Sequence, residues 1–341
     1  MAFETDIPDS QRALFLMAKE TLELQQTTAV PQPQAGEVLL KIGSVGVCGS
    51  DKHFYFDGRC GSEMITAPMI MGHEFGGAIV AVGQGISPHR VGQRVSVDPL
   101  VPCGRCRHCV QGNYNICPTQ KFFGVPGTYG AMQQYLCVPS GNAHAISDAI
   151  SDGAAAMVET ISVALAGAQK GRIGLGSRVL ITGGGPVGLF AVQVAKTLGA
   201  TEVVLVEPQE GRRKIAHELG AETLSTLADN DRQYDVLLEC TGVQSVRHDA
   251  CLSVLSGGRA IIIGVGEQVG GFPMSAVIER EVTIHGVMRY KFTWPAVIAA
   301  LEEQRLNADI LISRRLPLAR AQEAWTLPMT NEIKTMIDVN A

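Results

Sequence analysis

Cys103, Cys106, Cys109 and Cys117 follow one another as Cys-x2-Cys-x2-Cys-x7-Cys. Thiolates so closely spaced can close a tetrahedral zinc shell and leave no coordination position open, as a structural zinc requires. Upstream lie Gly72-His73-Glu74 and, further back, Cys48. Sulfur, imidazole and carboxylate together make a mixed donor set, which suits a second zinc with an open position for chemistry. A third group, Gly183-Gly184-Gly185-Pro186-Val187-Gly188, carries G-x-G-x-x-G at Gly183, Gly185 and Gly188. The first glycine permits a tight turn, the second lets a pyrophosphate approach the backbone, and the third lets helix and strand pack closely. Pro186 and Val187 open the helix whose N-terminus faces the phosphates. Glu207 stands at the end of the next strand, where an acidic side chain accepts both ribose hydroxyls and repels a 2′-phosphate, favouring NAD over NADP. Arg212 and Arg213 follow closely and soften that preference, because an arginine nearby accommodates the extra phosphate.

The elements that must position these groups change character along the chain. Short strands at 37–45, 78–82, 94–97 and 134–138, separated by Gly and Pro, predict an antiparallel β-rich unit with long loops. Residues 154–168 are Ala-rich with helical spacing. Strands at 177–182, 202–206, 234–239 and 259–264 then alternate with helices at 187–198 and 212–219, the latter ended by Gly220. This alternation implies parallel strands with crossover helices, a doubly wound sheet, so the fold class is α/β. The pattern breaks at Arg289-Tyr290, a helix follows over 296–303, and strands at 311–316 and 334–339 return to the first domain.

A chain of 341 residues exceeds what one core usually supports, so two domains are expected. A net charge of -5 with no long run of like charge excludes a nucleic-acid footprint. No apolar run is long enough to cross a bilayer, and Met1–Gln11 lacks the pattern of a secretory signal, so a cytoplasmic location is expected. The nine cysteines are odd in number and clustered, which favours metal thiolates over disulfides. Cys137, Cys240 and Cys251 lie in apolar stretches and read as small buried residues.

Gly46-Val47-Cys48-Gly49-Ser50-Asp51-Lys52-His53 and Gly72-His73-Glu74-Phe75-Gly76-Gly77 resemble the two catalytic-zinc motifs of the zinc-containing medium-chain dehydrogenase/reductase superfamily. The cysteine lobe and the glycine fingerprint follow in that family's order, and the resemblance covers essentially the whole chain. It implies a GroES-like catalytic domain of residues 1–157 and 288–341 and a Rossmann domain of residues 158–287. It implies NAD and two zincs, one catalytic and one structural, the latter held by Cys103, Cys106, Cys109 and Cys117. Cys48 and His73 would be catalytic-zinc ligands, with Glu74 a ligand or close behind the metal. Glu159 matches a further acidic residue that reaches the zinc directly or through water, and it competes as a base. Asp51 resembles the carboxylate that receives the His73 N–H. Ser50 would begin a proton relay and His53 would pass the proton to solvent.

Within the superfamily, Met288-Arg289-Tyr290, Thr293-Trp294-Pro295, Phe122-Phe123 and the loop His53–Arg59 resemble the polyol branch. Phe123, Arg289 and Tyr290 are thereby implied as substrate residues, since an arginine and a tyrosine offer hydrogen bonds to a polyhydroxylated chain. The expected reaction oxidises a secondary alcohol of a sorbitol- or xylitol-like polyol to a ketone. The alternatives are a sugar acid of the L-idonate kind, a diol, threonine or a simple secondary alcohol, or a non-catalytic nucleotide-binding relative. Phe54 stands where the branch often has tyrosine, and Thr160 follows Glu159 where proline is common. The resemblance also implies a homo-oligomer, dimer or tetramer, with Val282–Val287 as a contact.

Overall fold

Strand Glu37–Gly46 is apolar on both faces and almost continuously buried, which places it at the centre of a sheet. In the computed structural model, which describes residues 7–65, 68–266, 271–327 and 332–340, it pairs antiparallel with Glu74–Val82, Tyr135–Pro139 and Lys334–Asp338. Those four strands belong to a seven-stranded sheet that also holds Arg94–Val97, Ala143–Ala145 and Ile312–Pro317. The chain folds as two units. This sheet lies in the first, made of Met1–Glu159, Trp294–Glu302 and Ala308–Ala341.

The second unit holds Thr160–Thr293 and Glu303–Asn307 around six parallel strands. Their order is Glu222–Leu224, Glu202–Val206, Arg178–Thr182, Tyr234–Glu239, Val254–Ile262, Thr283–Gly286. The sheet grows in opposite directions from Arg178–Thr182 and Tyr234–Glu239, and ligands of such sheets bind beyond the carboxyl ends of the strands at this reversal. Register sets Thr182 level with Val206 on one side and Glu239 on the other. The residues that follow, Gly183, Glu207 and Cys240, therefore emerge side by side.

Two local differences from the sequence expectations have physical causes. Residues 303–307 belong with the second unit, not with the returning segment, because the Gln193 amide donates to the Asn307 carbonyl at 2.9 Å and accepts the Asn307 N–H at 2.7 Å. The segment expected as a loop over His53–Arg59 is mostly helix, Gly49–Asp57, stopped where Gly58 turns left-handed at φ 70°. Among the described residues, no helix is long and apolar enough to cross a membrane.

Candidate active site

Cys48 sits immediately before helix Gly49–Asp57, where the Asp51 carboxylate turns back to accept the Cys48 N–H at 2.9 Å. Gly72 takes φ +94°, and a Cβ there would lie 2.7 Å from Val45, so only glycine turns the chain into His73 at this point. Glu74 then begins the strand Glu74–Val82, opposite Gly46. The segment after the cysteine lobe lies on this turn: the Ala131 N–H donates to the Gly72 carbonyl at 2.8 Å, and the Phe122 ring lies 5.5 Å from the His73 ring. These contacts bring donor atoms of Cys48, His73 and Glu74 within 4.8 Å of one another. Glu159, buried on helix Asp152–Gly171, lies outside that set.

The surroundings of these donors call for a cation. Burial alone would lower the His73 pKa, yet Cys48, Asp51 and Glu159 outweigh it and raise the imidazole to about 10. Burial also holds the Asp51 carboxyl above its usual value, against the opposing pull of His73 and the Cys48 N–H. His73 Nδ1 faces Asp51 Oδ1 at 3.8 Å, which leaves Nε2 for a metal. A divalent ion would replace the imidazole proton as the neutralising charge, so the donor set fits zinc, and its affinity should weaken as the pH is lowered and protons compete for the ligands.

The four-cysteine lobe is closed at its base by Leu100–Val101 pairing with Lys121–Phe122. Sulfur–sulfur distances are 3.5 Å for Cys106–Cys109 and 3.9 Å for both Cys103–Cys109 and Cys106–Cys117. Tetrahedral thiolates about 2.3 Å from zinc lie about 3.8 Å apart, so the lobe already has the dimensions of the ion. Backbone N–H groups of Arg105 and Cys106 lower the Cys103 thiol to about 6, while burial and Cys106 push Cys109 up to about 12. Cys106→Ser is expected to remove one zinc per chain and to lower the unfolding midpoint; unchanged metal content would contradict a zinc site here.

In the second unit, strand Arg178–Thr182 turns through Gly183–Gly185 into helix Pro186–Thr197. Gly183 takes φ +93°. A Cβ on Gly188 would strike the Gly183 carbonyl, whereas one on Gly185 would meet nothing within 4 Å. The third glycine therefore serves packing, and the second faces open space through which a pyrophosphate can approach. Glu207, buried behind the turn, accepts the Gly184 N–H at 2.7 Å and the Gln209 N–H at 2.8 Å. Arg213, on the helix Glu210–Glu218 that also carries Arg212, donates to the Glu207 and Pro208 carbonyls. Glu207 thus braces the glycine turn, a role its position alone does not reveal. Glu207→Ala is expected to narrow the NAD-over-NADP preference by about tenfold, consistent with the loss of a charged hydrogen-bonding group; identical cofactor ratios would contradict it.

The family profile described as Alcohol dehydrogenase GroES-like domain matches residues 34–148, and that described as Zinc-binding dehydrogenase matches residues 186–303. Sorbitol dehydrogenase of Bacillus subtilis is 34% identical, over 98% of this chain and 99% of its own. The chain belongs to the zinc-containing medium-chain dehydrogenases. Among solved structures, an Escherichia coli CFT073 alcohol dehydrogenase in complex with NADH is similar to this dehydrogenase at TM-score 0.90 and 26% identity, over 97% of this chain and 100% of that one. L-idonate 5-dehydrogenase of Escherichia coli K-12 is similar at TM-score 0.89 and 26% identity, over 97% and 98%. The β-rich unit is therefore the GroES-like part of the dehydrogenase and the parallel-sheet unit its Rossmann part.

The remaining expected residues are distributed as follows. Ser50 lies in the first turn of the helix after Cys48, and the exposed His53 on the same helix pairs through Nδ1 with Asp57 at 2.8 Å. Phe123 is buried edge-on against Phe75 with ring centres 6.0 Å apart. Arg289 and Tyr290 lie in the second unit; Arg289 has φ +52° and Tyr290 is buried. Lys334 was not anticipated. Its ammonium is buried, forms an ion pair with the Glu74 carboxylate, and donates to the Val47 carbonyl at 3.1 Å. Gly46 makes room for that pair, since a Cβ there would collide with Glu74 and lie 2.9 Å from Lys334. The one visible signal was a lysine heading a strand whose next three residues are all apolar or threonine and buried.

Proposed function

We propose that this dehydrogenase oxidises a secondary alcohol of a polyhydroxylated chain to the ketone, with NAD as hydride acceptor. The observation that carries this reading is that Cys48, His73 and Glu74 bring a sulfur, an imidazole nitrogen and a carboxylate oxygen within 4.8 Å of one another, in a chain that also carries a glycine-turn dinucleotide fold. Zinc bound there would supply Lewis acidity toward the substrate hydroxyl, and NAD would supply the hydride acceptor. Cys48 and His73 hold the metal, with Asp51 orienting the imidazole through its Nδ1 side. Lys334 anchors Glu74 beside the donors and decides how far the carboxylate turns toward the metal. Ser50 takes the hydroxyl proton and His53 delivers it to solvent, steadied by Asp57. Glu159 is the second candidate base. Glu207 selects NAD, and Arg289, Tyr290 and Phe123 are the proposed contacts to the polyol. Cys103, Cys106, Cys109 and Cys117 hold the structural zinc.

The chain is also proposed to assemble with a second copy through Val282–Val287. Strand Thr283–Gly286 ends the parallel sheet, is largely exposed, and is paired on one side only among the described residues. Sedimentation as a single 36.3 kDa chain would remove this proposal. The substrate is tested by NAD reduction against sorbitol, xylitol, L-idonate, 2,3-butanediol, threonine and 2-propanol. Preferred turnover of sorbitol or xylitol supports the polyol, whereas preference for L-idonate places a sugar acid in the same site. Turnover of only the diol, threonine or 2-propanol keeps the chemistry and discards the polyol contacts.

A further inference from the structure

Glu239 is the last residue of strand Tyr234–Glu239, wholly buried at the reversal point of the parallel sheet, and neither the glycine turn nor the zinc chemistry uses it. An isolated carboxylate is costly to bury, so its partners reveal what it is for. One oxygen accepts the N–H of Thr241 at 2.7 Å and of Gly242 at 2.9 Å, together with the Thr241 hydroxyl. That hydroxyl in turn accepts the Val243 N–H at 3.0 Å. The other oxygen faces Arg247 Nε at 3.6 Å. Arg247 is itself buried on helix Gln244–Cys251 and donates to the Gly242 carbonyl at 3.3 Å. A single carboxylate and a single guanidinium thus fasten every residue of the 241–243 loop.

The backbone of Glu239 extends this hold to the neighbouring strand end. Its carbonyl accepts the N–H groups of Ile263 and Gly264, each at 2.9 Å. The two loops then lie backbone against backbone. A Cβ on Gly242 would sit 2.6 Å from the Val265 carbonyl, and one on Gly264 or Gly266 would collide with Gly242. On the other flank, the Cys240 N–H donates to Thr182, and Thr241 stands 3.0 Å from where a Gly183 Cβ would be. Loops 241–243 and 263–266 emerge at the carboxyl ends of strands on one side of the reversal point, while Glu207 and the ribose it would select lie on the other. A dinucleotide bound across that point places its adenosine half over the Glu207 side and its nicotinamide half over these two loops.

We propose that Glu239 and Arg247 are positioning residues for the nicotinamide half of NAD: buried behind the site, they hold loops 241–243 and 263–266 in the shape that the ring and its ribose require. This rests on the dehydrogenase reading above. The test compares binding of NADH with that of ADP-ribose, which has the adenosine half and pyrophosphate but no nicotinamide, in the full chain and in Glu239→Gln, Arg247→Met and Arg247→Lys. Glu239→Gln and Arg247→Met should weaken NADH about tenfold, as expected for breaking a charged hydrogen-bond network, and leave ADP-ribose within about twofold. Arg247→Lys should recover part of the NADH affinity. Equal weakening of both ligands, or unchanged NADH binding in a folded Arg247→Met chain, would overturn the proposal. Arg247→Met leaves the three donors on Glu239 in place, so the question stays decidable if Glu239→Gln fails to fold. A parent chain that binds neither ligand would instead contradict the dehydrogenase reading itself.

Discussion

Lys334→Met is expected to destabilise the metal-free chain by about 3–5 kcal/mol, the usual effect of leaving a buried charge without its partner. Lys334 and Glu74 are both 1% exposed, and the ammonium faces the Glu74 carboxylate and the Val47 carbonyl. Burial would lower the Lys334 pKa, but Glu74, Cys48 and Glu159 more than reverse that, so the side chain is held charged. Methionine fills much of the same space and removes only the charge. The double variant Lys334→Met, Glu74→Gln should recover most of the lost stability, because no uncompensated carboxylate then remains buried. Denaturant unfolding of the two variants reads both numbers. A single variant as stable as the parent would show that the pair does not neutralise Glu74.

His73→Ala has the second large effect, and it falls on chemistry. The imidazole supplies the only nitrogen donor in its set and is the group on which Cys48, Asp51 and Glu159 act. Its removal is expected to cost one of two zincs per chain and to lower kcat/KM by roughly a thousandfold or more, as loss of several kcal/mol of Lewis-acid stabilisation implies. The cysteine lobe should keep its own metal, so the protein should stay folded with about one zinc. Two zincs retained, with turnover within about tenfold of the parent, would exclude His73 as a ligand.

The features legible in the sequence were those carried by short spacing or by long periodic runs. The four cysteines, the Gly183–Gly188 fingerprint and the alternation of strands and helices across Arg178–Ile262 are all local patterns. Other features depend on partners far apart in the chain. Lys334 reads as one charge in a strand until the sheet sets it beside Glu74, because Gly46 pairs with both Glu74 and Met336. Glu207 is found by its position after a strand, but its bond to the Gly184 N–H appears only once the two strands lie in register.

Local signals also failed where the backbone departs from common turn chemistry. The hairpin of Ser10–Ala18 and Thr21–Ala29 went unread, because its turn uses Lys19 and Glu20, with Glu20 left-handed at φ 58°, in place of the glycine or asparagine that marks such turns. Helix Gly49–Asp57 was hidden for a different reason. Its residues GSDKHFYFD have no apolar stripe, and its start is marked by Asp51 reaching back to the Cys48 N–H. Glu239 and Arg247 each look ordinary in sequence, and only their shared burial reveals them as a pair.

The most direct test is to count zinc while it is withdrawn. The purified chain is treated with increasing chelator, and zinc per chain, NAD reduction with the preferred polyol and the unfolding temperature are measured on the same samples. We expect two zincs at the start, complete loss of turnover as the catalytic zinc leaves, and the larger fall in unfolding temperature as the cysteine lobe loses its own. Turnover that persists after both zincs are gone would contradict a zinc-dependent dehydrogenase outright.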